Sequence, residues 1–233
     1  MPLPEMQRSP QKNTRNNNKK VIGGVAMKIK KKMRIGVLGG TFDPIHIGHL
    51  MLADQAVHQE GLAKILFVPS YRPPHKAEGS FSAVEDRIEM IRRAISGHDR
   101  FELSTVERLI PGKGYTYKTL ELLKQEYGPD VEFSFVVGSD VLEDLVNFMN
   151  AEALLGSCSF ICAVRPGDDH GTILKLADHL TRAYRADVRM IRFFEIGISS
   201  SLIRDKIGTG ESVRYLLPDS VLAYIVQRQL YHR

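Results

Sequence analysis

Cysteine is scarce in this chain of 233 residues, which has only Cys158 and Cys162. The two flank an apolar run, and no histidine-rich segment lies near them in the sequence. A structural zinc site needs four ligands, so this pair is a poor candidate for one. We expect two small, buried thiols in a reducing compartment. A chain of this length can bury a sizeable core without disulfide bonds.

Long apolar runs are absent as well. No segment reaches the run of about 18 apolar residues that suggests a transmembrane helix. The N-terminal segment is charged but lacks the apolar stretch of a secretory signal. The sequence therefore predicts a cytoplasmic protein that has no membrane partner.

The positive charge of the chain is confined to one segment. The formal net charge is +5, but the first 32 residues hold nine lysines and arginines against one glutamate, so the remainder is slightly acidic. A basic stripe across a folded face, which is typical of nucleic-acid-binding proteins, is not evident. We therefore expect no nucleic-acid partner. Residues 1–32 are polar, have little to bury and are predicted to form a disordered tail, followed by a single domain over 33–233.

Short apolar runs alternate with amphipathic segments from Arg34 onward. The apolar runs predict strands over 35–38, 65–68, 101–103, 133–137, 160–164 and 188–193. The segments between and after them predict helices over 47–59, 84–95, 118–127, 141–148, 172–183, 200–207 and 218–230. This alternation predicts an α/β domain with a Rossmann-like, doubly wound parallel sheet. Ligands of such sheets bind beyond the carboxyl ends of the strands.

The clearest functional motif follows the first predicted strand, where residues 39–49 read GGTFDPIHIGH. Two glycines let the backbone turn sharply and approach a ligand, and the following helix start favours phosphate. His46 and His49 lie three residues apart on one helix face, where both can donate hydrogen bonds to phosphate oxygens. The segment matches neither the dinucleotide-binding fingerprint nor the P-loop. A dehydrogenase or a P-loop kinase is therefore not the first expectation.

A second motif, ISSSLIR at residues 198–204, also follows a predicted strand and opens a helix. Serines at a helix start commonly act as N-caps, but the same hydroxyl and N–H groups can hold a phosphate. Arg204 lies one turn into this helix, and its planar, permanently charged guanidinium can bind a polyphosphate. The two motifs together indicate a triphosphate site.

The paired motifs resemble those of the nucleotidylyltransferase superfamily, whose members transfer a nucleotidyl group and release pyrophosphate. More narrowly, the chain resembles the bacterial nicotinate-nucleotide adenylyltransferases over nearly all of 34–233. The further segments that carry this resemblance are PPHK at 73–76, YT at 115–116, TL at 119–120, GSDVL at 138–142, RPG at 165–167 and the ending from 215 to 231. Two positions depart from the family pattern: Phe148 replaces the usual tryptophan that stacks on the nicotinate ring, and Gly114 replaces a serine.

The resemblance implies a reaction and a set of site residues. AMP would pass from ATP to nicotinate mononucleotide by direct in-line displacement, giving deamido-NAD and pyrophosphate in NAD biosynthesis. Mg²⁺ would arrive with ATP, held mostly by phosphates and water, so no protein metal site is expected. The catalytic residues would be His46, His49 and Arg204. The ATP-binding residues would be Gly39, Gly40, Thr41, Phe42, Gly138, Asp140, Arg165, Ile198, Ser199, Ser200 and Ser201. The mononucleotide-binding residues would be His75, Lys76, Tyr115, Thr116 and Phe148.

Other readings of the sequence stay open. A sister adenylyltransferase could act on nicotinamide mononucleotide or phosphopantetheine, although the phosphopantetheine enzymes usually have Asn-Gly-His at 47–49. A class I aminoacyl-tRNA synthetase shares the His-x-Gly-His motif, but its Lys-Met-Ser-Lys-Ser segment is missing. A catalytically silent nucleotide-binding module is the third alternative.

Single residues have simpler explanations too: Asp43 could only shape a turn, Asp140 could N-cap a helix, and Phe148 could lie in the core. The oligomeric state is open, with a homo-oligomer among the options.

Overall fold

A computed structural model of the chain describes residues 32–73, 81–164, 168–194 and 196–232. The tail predicted over 1–32 therefore lies outside the described residues except for Lys32. Three predicted site residues, His75, Lys76 and Arg165, also lie outside them.

Strands and helices alternate along the described ranges. The strands are β1 Met33–Gly40, β2 Lys64–Pro69, β3 Phe101–Leu103, β4 Val131–Gly138, β5 Ser159–Val164 and β6 Asp187–Arg192. The α-helices are α1 Ile47–Glu60, α2 Val84–Ile95, α3 Thr116–Tyr127, α4 Ser139–Asp144, α5 Ala151–Leu155, α6 His170–Tyr184, α7 Ser200–Gly208 and α8 Asp219–Gln227. Single 3₁₀ turns cover Val106–Leu109 and Leu145–Asn147.

The six strands form one sheet in the order β3-β2-β1-β4-β5-β6. Every pair is parallel, so all carboxyl ends lie along one edge. The chain winds outward from β1 in one direction and from β4 in the other, which places the topological switch point between these two strands. The predicted doubly wound α/β fold is confirmed.

The sheet opens at this switch point. β1 and β4 pair from Met33 with Val131 as far as Val37 with Phe135, yet both strands continue for three more residues. Both strands lie within the described residues. Over their last three residues, β1 and β4 are not paired with each other, which leaves a gap between them. The loops that follow Gly40 and Gly138 therefore start on either side of a crevice.

Two apolar cores cover the two faces of the sheet. One includes residues of α1, α2, α7 and α8, and the other includes residues of α3, α4, α5 and α6. Successive residues of a strand point to opposite faces: Ile35 and Val37 belong to the second core, and Leu38 belongs to the first. Gly36 also faces the first core, where a Cβ would overlap the side chain of Ile65. The sheet is thus buried on both faces, as expected for parallel strands.

Several predicted boundaries need correction. The helix predicted over 141–148 ends at Asp144 and continues only as a 3₁₀ turn to Asn147. The short helix α5 was not predicted at all. The bounds of α2 agree with the prediction, but its buried residues include Asp86 and Arg87. An apolar periodicity cannot reveal a buried charge, because it assigns charged residues to the solvent side.

The two cysteines are free thiols, as expected. Cys162 is fully buried in the second core, and Cys158 is half-buried with its Sγ donating to the carbonyl of Leu154 at 3.5 Å. Burial raises the pKa of Cys158 to about 12, so the reactive thiolate is scarce at neutral pH. Among the described residues, no helix combines the length and the apolar character that crossing a membrane requires.

Candidate active site

The loop between β1 and α1 is shaped by Phe42. Its backbone has a φ of 52°, and its ring is buried at 1% exposure. A Cβ on Gly40 would lie 3.2 Å from that ring, whereas a Cβ on Gly39 would meet none of the described atoms within 4 Å. Gly40 is therefore needed for packing within the protein, while Gly39 faces open space that a ligand can enter. Because the ring is buried, only the backbone of Phe42 can contact ATP.

His46 and His49 lie against each other at the start of α1. Their ring centroids are 3.7 Å apart with an interplanar angle of 30°. The backbone N–H of His46, the N-cap residue, donates to Nδ1 of His49 at 3.2 Å. Because that Nδ1 accepts a hydrogen bond, the ring proton of His49 resides on Nε2. His49 thus carries one N–H for a ligand.

Both imidazoles are neutral at physiological pH. Burial lowers the pKa of His46 from 6.5 to about 4. Burial also lowers the pKa of His49, and the neighbouring His46 lowers it further. A bound polyphosphate would oppose these effects, because a nearby negative charge favours the protonated ring.

Gly48 makes room for the histidine pair. A Cβ at this position would lie 3.1 Å from Nδ1 of His46 and 3.9 Å from the carbonyl oxygen of Ile198. The second motif, which begins at Ile198, therefore approaches the helix start closely. The N–H groups of this first turn are partly used within the protein: that of Ile47 donates to Leu216 at 3.1 Å, and that of His49 donates to His46 at 3.0 Å.

The second motif contacts the first through two side chains of α7. Arg204 Nη1 donates to the carbonyl of Asp43 at 2.7 Å, and Ser200 Oγ donates to the carbonyl of Pro44 at 2.9 Å. The Asp43–Pro44 peptide bond is cis. The structure thus places Arg204 at the same loop as the histidine pair. Arg204 has further N–H groups beyond those used here, since a guanidinium carries five.

The three serines of the second motif have different partners. Ser199 is the N-cap of α7 and accepts from the N–H of Leu202 at 3.1 Å. Ser201 Oγ accepts from Arg204 Nη2 at 3.2 Å. Ser200 uses its single hydroxyl proton on Pro44, so this hydroxyl can only accept further hydrogen bonds. Ser199 and Ser201 keep a hydroxyl proton for a phosphate. The ATP-binding roles of all three serines stay predictions.

Asp43 does more than shape a turn, and the sequence did not reveal how. Its carboxylate is 1% exposed. Oδ1 accepts from the hydroxyl of Tyr231 at 2.7 Å, and Oδ2 accepts from the N–H of Ser82 at 3.3 Å. Both partners are distant in sequence, so no local pattern could have identified them.

Arg87 is a second residue that the sequence analysis missed. It is fully buried, and its Nη1 donates to the carbonyls of Thr41 and Ser70, both at 2.8 Å. Its Nε donates to the carbonyl of Ser82 at 3.1 Å. Arg87 therefore joins the loop after β1 to the loop after β2. No local pattern in the sequence indicated its burial, because its partners are carbonyls of distant loops.

Glu107 organises the region of the predicted mononucleotide site. Its buried carboxylate accepts from the N–H of Tyr71 at 3.2 Å and from Thr119 Oγ1 at 3.1 Å. Burial raises the pKa of Glu107. A Cβ on Gly114 would overlap this carboxylate. A side chain at this position would therefore displace Glu107 from its present place.

Three predicted mononucleotide-binding residues lie in the described ranges. Tyr115 is the N-cap of α3, and Thr116 is its first residue. Phe148 has extended backbone after the 3₁₀ turn and is half-buried against the second core. It does not lie on a helix face, contrary to the expected helix over 141–148. Among the described contacts, none joins these three residues to the histidine pair.

Gly138 and Asp140 lie at the carboxyl end of β4. Gly138 is the N-cap of α4, and Asp140 is an exposed residue of the first turn. The alternative in which Asp140 N-caps this helix is therefore wrong. Since β1 and β4 are neighbours, both residues lie across the crevice from Gly39 and Gly40.

An apolar cavity of about 480 Å³ lies at the carboxyl ends of β5 and β6. Its lining residues include Val164, Leu174, Phe193 and Phe194. Ile198 follows a few residues later and packs against the first core. Among the described residues, no group of three or more His, Cys, Asp or Glu side chains is placed to hold a metal ion.

This arrangement matches that of a known family. Residues 37–206 match the model of the family described as cytidylyltransferase-like. A relative from Bacillus licheniformis, named "Probable nicotinate-nucleotide adenylyltransferase", is 40% identical over 85% of this chain and 98% of its own length. The chain belongs to the cytidylyltransferase-like family, among the nicotinate-nucleotide adenylyltransferases.

Further relatives of this family agree. A protein of the same name from Halalkalibacterium halodurans is 39% identical over 85% of this chain and 91% of its own length. The solved structure of Plasmodium falciparum nicotinic acid mononucleotide adenylyltransferase complexed with NaAD has a TM-score of 0.70 at 23% identity, covering 85% of this chain and 97% of that one. At this identity the structural likeness supports the fold.

Proposed function

We propose that this chain transfers the AMP part of ATP to nicotinate mononucleotide, giving deamido-NAD and pyrophosphate. One observation carries the proposal: the guanidinium of Arg204 and the imidazoles of His46 and His49 converge on one loop beside the crevice of the sheet. Family membership adds the reaction type. The acceptor is taken from relatives at about 40% identity.

The triphosphate of Mg²⁺–ATP would lie over Gly39, between the histidine pair and Arg204. Open space beside Gly39 allows close approach of phosphate oxygens to the backbone. Each imidazole would donate a hydrogen bond to an oxygen of the triphosphate, His49 through its Nε2. Arg204 would add its remaining N–H groups and a permanent positive charge.

The adenosine would lie on the β5 and β6 side of the crevice. The apolar cavity there has aromatic walls at Phe193 and Phe194, which suit a planar base. Arg165, which directly follows the cavity residue Val164 in the sequence, would lie near the adenosine. Asp140, which follows β4 on the same side of the switch point, would accept hydrogen bonds from the ribose hydroxyls.

Nicotinate mononucleotide would lie on the opposite side, towards β2 and β3. His75 and Lys76 follow β2 in the sequence, and Lys76 with Thr116 would bind the 5′-phosphate. Tyr115 and Phe148 would border the pyridine ring. The buried carboxylate of Glu107 supports this region by holding Tyr71 and Thr119.

The chemistry requires little more than placement and charge stabilisation. The 5′-phosphate of the mononucleotide would attack the α-phosphorus of ATP in line with the departing pyrophosphate. Positioning the two substrates converts a bimolecular reaction into an effectively unimolecular one. Donors held in advance by the protein would stabilise the charge that builds on the phosphoryl oxygens. The Mg²⁺ that accompanies ATP would neutralise part of this charge.

The test is a substrate panel with the full chain. Pyrophosphate release is measured with Mg²⁺–ATP and, in turn, nicotinate mononucleotide, nicotinamide mononucleotide and phosphopantetheine, and products are identified by mass. We expect the highest kcat/KM with nicotinate mononucleotide. A His49→Asn variant, purified in parallel, controls for contaminating host enzyme.

Other outcomes of this panel would replace the proposal. A preference for nicotinamide mononucleotide or phosphopantetheine would assign the chain to a sister activity. Calorimetric ATP binding without turnover of any acceptor would indicate a nucleotide-binding module. The cytoplasmic location expected from the sequence stays a prediction, as does the absence of a nucleic-acid partner.

A further inference from the structure

Asp43 connects three parts of the fold at one point. Its carbonyl accepts from Arg204 in α7 at 2.7 Å. Its carboxylate accepts from Ser82, just before α2, at 3.3 Å and from Tyr231, beyond α8, at 2.7 Å. Asp43 lies three residues before His46, so its position affects both the guanidinium and the histidine pair.

The backbone after α8 is bent to bring Tyr231 to this carboxylate. Gln229 has a φ of 51° and Tyr231 a φ of 67°, which are unfavourable values for residues other than glycine. Such strain persists only where the surrounding structure enforces it, and it is common near functional sites. Leu230 and Tyr231 pack against the first core, and the N–H of Leu230 donates to Ile225 at 3.0 Å.

The hydroxyl of Tyr231 is a dependable donor in this place. Burial and the adjacent Asp43 carboxylate raise the pKa of Tyr231, so the phenol stays protonated. The carboxylate is almost completely buried. Loss of the phenol hydroxyl would leave one oxygen of a buried carboxylate without this partner, and the loop would shift to compensate.

We propose that Tyr231 is a positioning residue for adenylyl transfer, acting through Asp43 to keep Arg204 and the histidine pair in place for the triphosphate. This inference rests on the proposed function for its kinetic consequences. Tyr231 lies 188 residues from Asp43, and its ring faces the core, so it acts through the loop rather than by touching the substrates.

The chain offers a matched control in Tyr224 of α8. Its hydroxyl donates to Asp86 Oδ1 at 2.7 Å, the same distance as in the Tyr231–Asp43 pair. Asp86 is also buried, at 7% exposure. Asp86 Oδ1 also accepts from Arg228 Nε at 3.2 Å. Tyr224→Phe therefore removes a tyrosine–aspartate hydrogen bond of the same length that does not involve the loop after β1.

The experiment compares Tyr231→Phe with Tyr224→Phe in the full chain. We expect Tyr231→Phe to lower kcat about 10-fold and to raise the calorimetric Kd for Mg²⁺–ATP several-fold, since small displacements of binding groups are costly. The KM for the mononucleotide should stay within about twofold. Tyr224→Phe should lower the thermal midpoint but leave kcat and the Kd for ATP unchanged. Equal kinetic effects of the two variants would overturn the proposal.

A second comparison places each tyrosine change in an Arg204→Lys background. If Tyr231 acts in part through Arg204, its loss should matter less once the guanidinium is gone, so the two effects would not multiply. Tyr224→Phe should have the same small effect in both backgrounds. An undiminished effect of Tyr231→Phe in the Arg204→Lys chain would overturn the coupling of Tyr231 to Arg204 on which the proposal depends. The wild type could also prove inactive while its affinity for ATP still depends on Tyr231. That result would contradict the proposed function, but it would leave the inference that Tyr231 positions the triphosphate-binding groups.

Discussion

Arg204 donates a hydrogen bond to the backbone carbonyl of Asp43, a residue 161 positions earlier in the chain. This bond places the only guanidinium of the second motif at the loop that leads to His46 and His49. The protein itself therefore sets the arrangement of its candidate phosphate-binding groups. Groups held in place before the substrate arrives need no reorganisation during the reaction, which is the basis of electrostatic catalysis.

The two nitrogens of His49 have separate tasks, and this yields a first prediction. Nδ1 accepts from the backbone of His46, which leaves Nε2 as the donor for the triphosphate. An asparagine reproduces the position of Nδ1, and a glutamine approximates that of Nε2. We expect His49→Asn to lower kcat by about 10²-fold or more, the scale of losing one preorganised donor. His49→Gln should retain more activity.

Steady-state kinetics of folded, purified variants provide the measurement. His58→Gln is the control, since this residue is exposed on the same helix and should leave kcat unchanged. Near-normal turnover of His49→Asn would remove His49 from the catalytic group.

Gly48 gives a second prediction, in which activity and stability change separately. Alanine is favoured over glycine within a helix, so Gly48→Ala should leave the thermal midpoint almost unchanged. Its Cβ, however, would lie 3.1 Å from Nδ1 of His46 and would displace that ring. We expect kcat to fall at least 10-fold, as for other misplaced catalytic groups.

Gly156→Ala is a suitable comparison for Gly48→Ala. A Cβ at Gly156 would lie 3.5 Å from the carbonyl of Glu152, which is an ordinary contact, and the site lies before β5, at the opposite edge of the sheet. Its kcat should equal that of the wild type. If Gly48→Ala is as active as Gly156→Ala, the His46 ring has no role in turnover.

Phe194 tests the proposed adenosine position. It lines the apolar cavity and is 70% exposed, so its replacement should not unfold the protein. We expect Phe194→Ser to raise the KM for ATP about fivefold, because a base loses stacking and apolar contact, with no change in the KM for the mononucleotide. Leu109→Ser, also at a 70% exposed residue, should change neither constant. A normal KM for ATP in Phe194→Ser would place the adenine elsewhere.

The fold could be predicted largely because it is encoded in local patterns. The bounds of α2 and β3 agree with those predicted from apolar spacing, and the alternation of strands and helices implied the parallel sheet. The short helix α5 was missed since its five residues are too few to show a helical period. The burial of Arg87 on α2 was also missed, because it depends on hydrogen bonds to carbonyls of distant loops.

The candidate site could be predicted in part. His46, His49 and Arg204 stood out because their residue types and spacing suit phosphate. Asp43 and Tyr231 did not, because a buried hydrogen bond between residues 188 positions apart depends on the packed fold. Ser200 has a contact that its motif did not predict: its hydroxyl donates to the carbonyl of Pro44, and its ATP-binding role stays a prediction.

The buried histidine pair makes stability depend on pH. Burial holds the pKa of His46 at about 4, below the ordinary value of 6.5. Between these values the unfolded chain binds a proton that the folded protein does not, so the free energy of unfolding falls as pH falls below about 6.5. One pKa unit corresponds to about 1.4 kcal/mol. From pH 7.5 to pH 5, His46 should therefore cost about 2 kcal/mol of stability.

Replacing His46 should remove this part of the acid sensitivity. Between pH 7.5 and pH 5, we expect the thermal midpoint of His46→Gln to fall by roughly 5 °C less than that of the wild type. This figure follows from the usual relation of midpoint to free energy for a domain of this size. His58→Gln, which removes an exposed histidine from the same helix, should keep the pH dependence of the wild type. The midpoints are measured by differential scanning calorimetry without nucleotide, because bound triphosphate would raise the pKa of both imidazoles. Identical pH dependence of His46→Gln and the wild type would mean that the His46 ring is solvated, and the neutral donor assigned to it would have to be abandoned.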